Sequence, residues 1–260
     1  MGTMALAVWS DTRNGNDEIY ASRLDKTGSF MDGAGVQVFA KKTKDLRYPS
    51  VACNSAGTSC LVVWYEYDSL FPQVRGELLT YIGGKLKPKR TVGIFISAQP
   101  KMRNSWPAVA SDGTDYVVVW TQKSGTIQTI VGRRVSALGV VATSTTKSIG
   151  GKVNSDAASP AVAYLASQDR YMAAWTDSRG GNEDIYGARV DKKGGGISPD
   201  RGGLPVAIGD GLQRYPEVAC NRETCLVTYV SGKPNYVEGV RLKDSGAMLV
   251  VVDRPAIRVG

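Results

Sequence analysis

Apolar positions along this chain alternate over short runs and almost never recur at helical spacing. The clearest runs are rich in Val and end in an aromatic residue: LAVW to Trp9, LVVW to Trp64, VVVW to Trp120, MAAW to Trp175 and LVTY to Tyr229. Successive anchors are 55, 56, 55 and 54 residues apart. Such regularity predicts one supersecondary unit written five times. Ahead of four anchors stands a second run headed by Pro: YPSVAC at 48–53, WPAVAS at 106–111, SPAVAY at 159–164 and YPEVAC at 215–220. Pro is tolerated at the head of a strand, where it breaks no interior ladder bond. A polar loop after the anchor leads to a third run, as in DIYGARV at 184–190. A turn such as DKTG at 25–28 then leads to a fourth.

Four antiparallel strands per ~55 residues, repeated in tandem, predict an all-β chain folded as a five-bladed β-propeller. A β-sandwich is the alternative, but sandwiches do not repeat one unit five times. The expected organisation is one domain over 1–260, with units near 1–47, 48–105, 106–158, 159–214 and 215–260. Each Pro precedes its anchor by 13 or 15 residues, yet only eight residues precede Trp9. The 31 residues after Tyr229 are too few to supply the missing strand from the other end. The first blade is therefore expected to lack its innermost strand. The chain then reads as a fragment of a larger protein, or as a propeller that closes without that strand. An open strand edge invites pairing, so self-association through the incomplete blade is expected.

Composition narrows the chemistry. Lys and Arg total 32 against 24 Asp and Glu, a formal charge of +8. The basic residues are dispersed, which reads as a solvated surface rather than a nucleic-acid groove. No apolar run is long enough to cross a membrane. The four cysteines form two pairs, Cys53 with Cys60 and Cys220 with Cys225, at the same repeat positions. Both pairs are expected to face each other across a hairpin as disulfides, which implies an extracellular or cell-surface location. The chain has no histidine. That excludes Ser-His and Cys-His nucleophilic catalysis and His-ligated metals. No cofactor is expected.

Paired carboxylates are the remaining hydrolytic option. Asp11, Glu66 and Asp177 stand two positions after their anchors and could meet around an axis. The structural reading is stronger, because an Asp-x-Arg such as Asp11 and Arg13 can pair inside its own loop. Asp11, Asn16 and Asp17, with Asp177, Asn182 and Asp184 in the fourth unit, would then close the turns. Calcium at Asp11, Asp17, Asp177 and Asp184 is a weaker possibility, because the ligand spacing matches no known loop. The anchor Trp residues are expected to pack between blades. A better binding candidate is the approach to the first strand. There LRYP, NSWP and QRYP place Tyr48, Trp106 and Tyr215 before Pro, with Arg47 and Arg214 beside two of them. Aromatic platforms of this kind suit the C–H faces of sugar rings, and paired arginines would favour acidic ones.

The stretches AVWSDTRNGNDEIYASRLD at 7–25 and AAWTDSRGGNEDIYGARVD at 173–191 match at 10 of 19 positions. Their pattern resembles tandem repeats in large secreted or surface proteins of bacteria and archaea, most of them uncharacterised. The resemblance implies a propeller and little about activity. Five-bladed propellers include tachylectin-like lectins and furanosidase-type glycosidases. The RYP segments are also similar to an Arg-Ile-Pro segment of sialidases, but no complete Asp-box is present and sialidases have six blades. The glycosidase pattern needs acids on the inner strands, and Glu217 alone is acidic there. The expected function is a non-catalytic, lectin-like or adhesive module that binds a glycan or cell-surface polymer. The alternatives are a glycoside hydrolase and a structural or protein-interaction scaffold.

Overall fold

The structure is a computed structural model. It describes residues 5–41, 43–67, 70–89, 92–97, 101–142, 146–151, 156–232, 236–253 and 256–258. These form five antiparallel sheets, and the helical content is one 3₁₀ turn at Ala166–Gln168. The first sheet orders β1 (Ala5–Asp11), β2 (Glu18–Leu24) and β3 (Val36–Phe39). The second orders β4 (Leu46–Cys53), β5 (Ser59–Glu66), β6 (Gln73–Ile82) and β7 (Lys85–Pro88), and β8 (Ile94–Phe95) also pairs with β6. The third contains β9 (Arg103–Ser111), β10 (Tyr116–Ser124), β11 (Ile127–Val135) and β12 (Lys147–Gly150). The fourth contains β13 (Ala158–Leu165), β14 (Arg170–Asp177), β15 (Asp184–Val190) and β16 (Leu204–Ala207). The fifth contains β17 (Gln213–Cys220), β18 (Cys225–Ser231), β19 (Tyr236–Asp244) and β20 (Leu249–Val251), and β21 (Ile257–Arg258) also pairs with β19.

Each sheet runs up and down in chain order, as short turns between alternating apolar strands dictate. The Pro-containing strands β4, β9, β13 and β17 neighbour one another in that order, and β1 lies against β4. Four apolar clusters fill the spaces between consecutive sheets. Trp64, Trp120 and Trp175 are fully buried in these clusters, so the anchors are core residues. Two glycines make room for Trp175. A Cβ on Gly150 would come within 2.1 Å of the indole, and one on Gly203 within 2.4 Å. Close backbone approach of this kind is a position only glycine fills.

Two differences from the sequence reading bear on the site. The prolines do not head their strands. β4, β9, β13 and β17 each begin two to four residues earlier, and the ladder shifts register where the aromatic–Pro or Ser–Pro pair stands. Pro has no N–H to donate, so it is accommodated at a bulge on an edge strand. The aromatics before Pro therefore belong to strands, not to loops. The second difference concerns equivalence. Asp11 pairs with Glu18 and Asp177 with Asp184, so Asp184 matches Glu18 rather than Asp17.

Both expected disulfides are formed. Cys53 faces Cys60 and Cys220 faces Cys225, each pair with Cα atoms 3.9 Å apart. No helix of the structure is long and apolar enough to cross a membrane.

Candidate functional site

The four bulges have a common consequence. Tyr48, Trp106, Ser159 and Tyr215 take φ values of 52°, 53°, 51° and 54°. A left-handed backbone is a genuine outlier for a bulky residue. It costs about 1–3 kcal/mol per position and persists only where the surroundings enforce it. Here each residue precedes Pro in an edge strand. The turn lifts its side chain out of the ladder toward the face where the four strands converge. The result is a cup of about 330 Å³. Its walls are Tyr48, Trp106, Ser159 and Tyr215 with the prolines that follow them. Ser50, Ala108 and Glu217 complete the lining.

The cup is lopsided. Tyr48 and Trp106 stack with ring centroids 4.1 Å apart and planes 28° apart. Among the described residues Tyr215 has no such ring partner, and it is 58% exposed. Ser159 interrupts the series, which leaves an opening between Trp106 and Tyr215. Side-chain hydroxyls hold the strands in place: Val109 donates its N–H to Ser50 Oγ at 3.3 Å, and Tyr215 donates to Thr176 Oγ1 at 3.2 Å.

Glu217 is the one carboxylate in this lining. Its side chain is open to the cup, yet protein surrounds it closely enough that lost hydration raises its pKa above the ordinary carboxylate range. Among the described residues no hydrogen bond or ion pair holds it. A single acid on the inner strands is visible in the sequence. Its significance depends on the bulges, which no local pattern announces.

The other candidates have different partners. Arg47 and Arg214 alternate with the cup-facing tyrosines. Arg47 Nε donates to Asp17 at 2.7 Å and its Nη2 to Asp45 at 3.1 Å, while Arg214 pairs with Glu183. Each arginine thus ties its strand to a loop that joins two strands of the preceding sheet, Asp17 lying between β1 and β2 and Glu183 between β14 and β15. Asp11 accepts the Trp9 indole N–H at 3.0 Å and the Arg13 backbone N–H at 2.9 Å. The Arg13 guanidinium, followed by that indole, holds its carboxyl well below the ordinary range. Asp177 repeats the arrangement with Trp175 at 3.1 Å and the Arg179 backbone at 3.1 Å. The guanidinium carbons of Arg13 and Arg179 lie 4.1 and 4.0 Å from the ring centres of Tyr20 and Tyr186. Glu66 accepts from Lys41 at 2.7 Å, with Arg75 at 3.8 Å. Asp11, Glu66 and Asp177 are therefore each engaged inside their own region, and none lines the cup.

Most of the calcium candidates are likewise paired with cations of their own. Asp11 and Asp177 are taken up by Arg13 and Arg179, and Asp17 by Arg47. Asp184 is buried, which raises its pKa. Among the described residues no group of three or more His, Cys, Asp and Glu side chains is gathered to hold a metal ion.

No protein-family model matches the chain, and no curated protein matches it. Solved structures do. A thermostable family-43 glycoside hydrolase aligns over 100% of this chain and 94% of its own, with a TM-score of 0.56 at 10% identity. An α-L-arabinanase from Penicillium chrysogenum, solved with arabinobiose, aligns over 97% of this chain and 78% of its own, with a TM-score of 0.63 at 12% identity. Levansucrase from Bacillus subtilis, solved with oligosaccharides, aligns over 99% of this chain and 82% of its own, with a TM-score of 0.53 at 8% identity. At such identities the likeness is one of fold, and the arabinanases are five-bladed β-propellers. It corrects the functional expectation. The sequence favoured a non-catalytic lectin-like module, whereas the similar structures are enzymes that act on glycans. The hydrolase alternative gains the support that the binding module loses.

Proposed function

We propose that this protein is a carbohydrate-active enzyme of the glycoside hydrolase type, built as a five-bladed propeller. The observation that carries the reading is the cup. Three rings held at strained bulges converge with one carboxyl whose pKa burial raises. The rings offer flat apolar faces for a sugar. Glu217 is suited to be the general acid, because a raised pKa keeps its proton available further into the mildly acidic range. Cleavage by the two-carboxylate route also needs a base or nucleophile. Among the described residues Glu217 is the one carboxylate of the lining, and no base or nucleophile is assigned. The similar enzymes suggest furanose polymers such as arabinan as first substrates to try. The two disulfides support an extracytoplasmic home. Among the described residues β1 has no strand paired on its other side, and such an edge supports self-association by pairing.

The test is release of reducing ends from linear arabinan, arabinoxylan and levan. Glu217→Gln should lower the rate by about 10²-fold or more. The rate should fall as pH rises through the raised Glu217 pKa, because the acid form is the active one. Absence of cleavage in the whole panel would end the hydrolase reading. Cleavage that survives Glu217→Gln would move the acid elsewhere.

A further inference from the structure

The second sheet carries aromatics that the repeat does not require. One and three positions after the anchor Trp64 stand Tyr65 and Tyr67. The matching residues are Ser10 and Thr12, Thr121 and Lys123, Thr176 and Ser178, and Val230 and Gly232. Four of the five units therefore build the same strand end without a ring. Architecture does not explain the pair in the second unit.

These rings continue the wall of the cup. Tyr48, already stacked on Trp106, is 6.2 Å from Tyr65 by ring centroids, and Tyr65 is 6.1 Å from Tyr67. Register explains the contact, because Tyr65 pairs across the sheet with Arg47, the neighbour of Tyr48. Tyr67 is 44% exposed, and Leu70 and Phe71, close to it in sequence, are 66% and 42% exposed. Large apolar side chains left exposed beside a ligand cup mark an interaction surface. Successive planes are turned by 48° and 52° rather than aligned. A ladder that turns in this way fits a single twisted polymer chain better than a flat crystalline face.

We propose that Tyr65 and Tyr67 form a chain-binding extension of the cup, and that the ligand is a soluble single-chain polysaccharide lying over the second sheet. The proposal rests on the reading that the cup takes a sugar. It goes further in making the substrate a polymer rather than a short saccharide. Continuity with the cup argues for this occupant, since Tyr48 belongs to both surfaces. Stacking on the exposed Tyr67 and the partly buried Tyr65 supplies affinity for each sugar unit they cover.

The experiment is affinity electrophoresis in gels containing linear arabinan or levan, run beside the cleavage assay. Wild-type protein should be retarded. Tyr67→Ala should weaken retardation severalfold, and Tyr65→Ala with Tyr67→Ala about tenfold or more. Lys123→Ala, the match of Tyr67 in the third unit, should leave it unchanged. Arabinobiose cleavage should be untouched by Tyr67→Ala, while polymer cleavage should lose apparent affinity. Glu217→Gln should abolish turnover and keep retardation. Tyr67 follows the end of β5 and is exposed, so its replacement leaves the fold intact. Wild type that passes both gels unretarded, or ladder variants retarded as strongly as wild type, would overturn the proposal. If retardation responds to the ladder but no variant or substrate shows turnover, the hydrolase reading fails and the chain-binding surface stands.

Discussion

The first and fourth sheets are written with nearly the same residues and are not equally buried. In both, an indole donates to an Asp two positions on, the Asp receives an Arg two positions further, and the Arg covers a Tyr on the next strand. In the fourth sheet the Asp177 side chain is fully buried, and Arg179 also reaches the Gly202 carbonyl at 2.6 Å. In the first sheet Asp11 keeps 18% of its side-chain exposure and Arg13 keeps 36%. Trp175 is wholly buried between two sheets, whereas Trp9 is half-buried and leans on Phe30, itself 59% exposed. The difference is one strand. β14 has β13 on its inner side, and β1 has no described neighbour there. The fifth sheet has its inner strand, but β17 has no described inner strand of the first sheet beside it, and its Tyr215, Glu217 and Ala219 are open. Identical local chemistry thus forms at both places, and the surroundings decide how much of it is shielded from water. The two disulfides staple the inner hairpins of the second and fifth sheets, the sheets adjacent in chain order to the first and fourth.

The largest test of this contrast is a matched pair of truncations. Trp175→Ala should cost about 3–5 kcal/mol, the range for a fully buried large aromatic. Trp9→Ala should cost less than half as much by denaturant titration. Equal losses would show that the first sheet is as well packed as the fourth. The disulfides come next. Replacing Cys220 and Cys225 by Ala should cost about 2 kcal/mol from loop entropy, and the Cys53 and Cys60 pair about the same. A negligible loss at both would argue that the hairpins are held by packing alone.

A smaller gain is expected from supplying the missing strand. Fusing a copy of residues 46–52 ahead of β1 through a two-residue hairpin turn should pair with its open edge and reduce self-association in sedimentation. Each kcal/mol gained would raise Tm by about 2–4 °C. An unchanged Tm would show that the edge of β1 is already satisfied. The smallest effects are those of pH. Asp11 has a depressed pKa, so its stabilising effect is present above the unfolded value of 3.8 and is lost as pH falls through the folded value. Asp11→Asn should therefore destabilise at pH 7 and become neutral in strong acid. Glu217 has the opposite shift. Its effect favours the fold below the unfolded value of 4.5 and is lost as pH rises through the folded value. Glu217→Gln should be stabilising at pH 7 and neutral below pH 4. Reversed signs would remove either group from its described setting.

Sequence alone determined the all-β class, the unit length, both disulfide pairs and the burial of three of the anchor Trp residues, Trp64, Trp120 and Trp175. These follow from period-2 alternation and from one motif recurring at fixed spacing, and both are local properties of the chain. It also singled out Tyr48, Trp106 and Tyr215, because repetition shows that equivalent positions share a face. Tertiary structure decided the rest. Whether Asp11 and Asp177 serve a site or a loop depended on where Arg13 and Arg179 reached, and both turned inward to their own Asp. Arg47 and Arg214 were drawn to carboxylates at the edge of the preceding sheet. Glu217 gained its raised pKa, and Tyr65 and Tyr67 their place beside the cup, from strands far apart in the chain. Hydration and ring contact depend on what stands across a gap, and the spacing of residues along a strand carries no record of that.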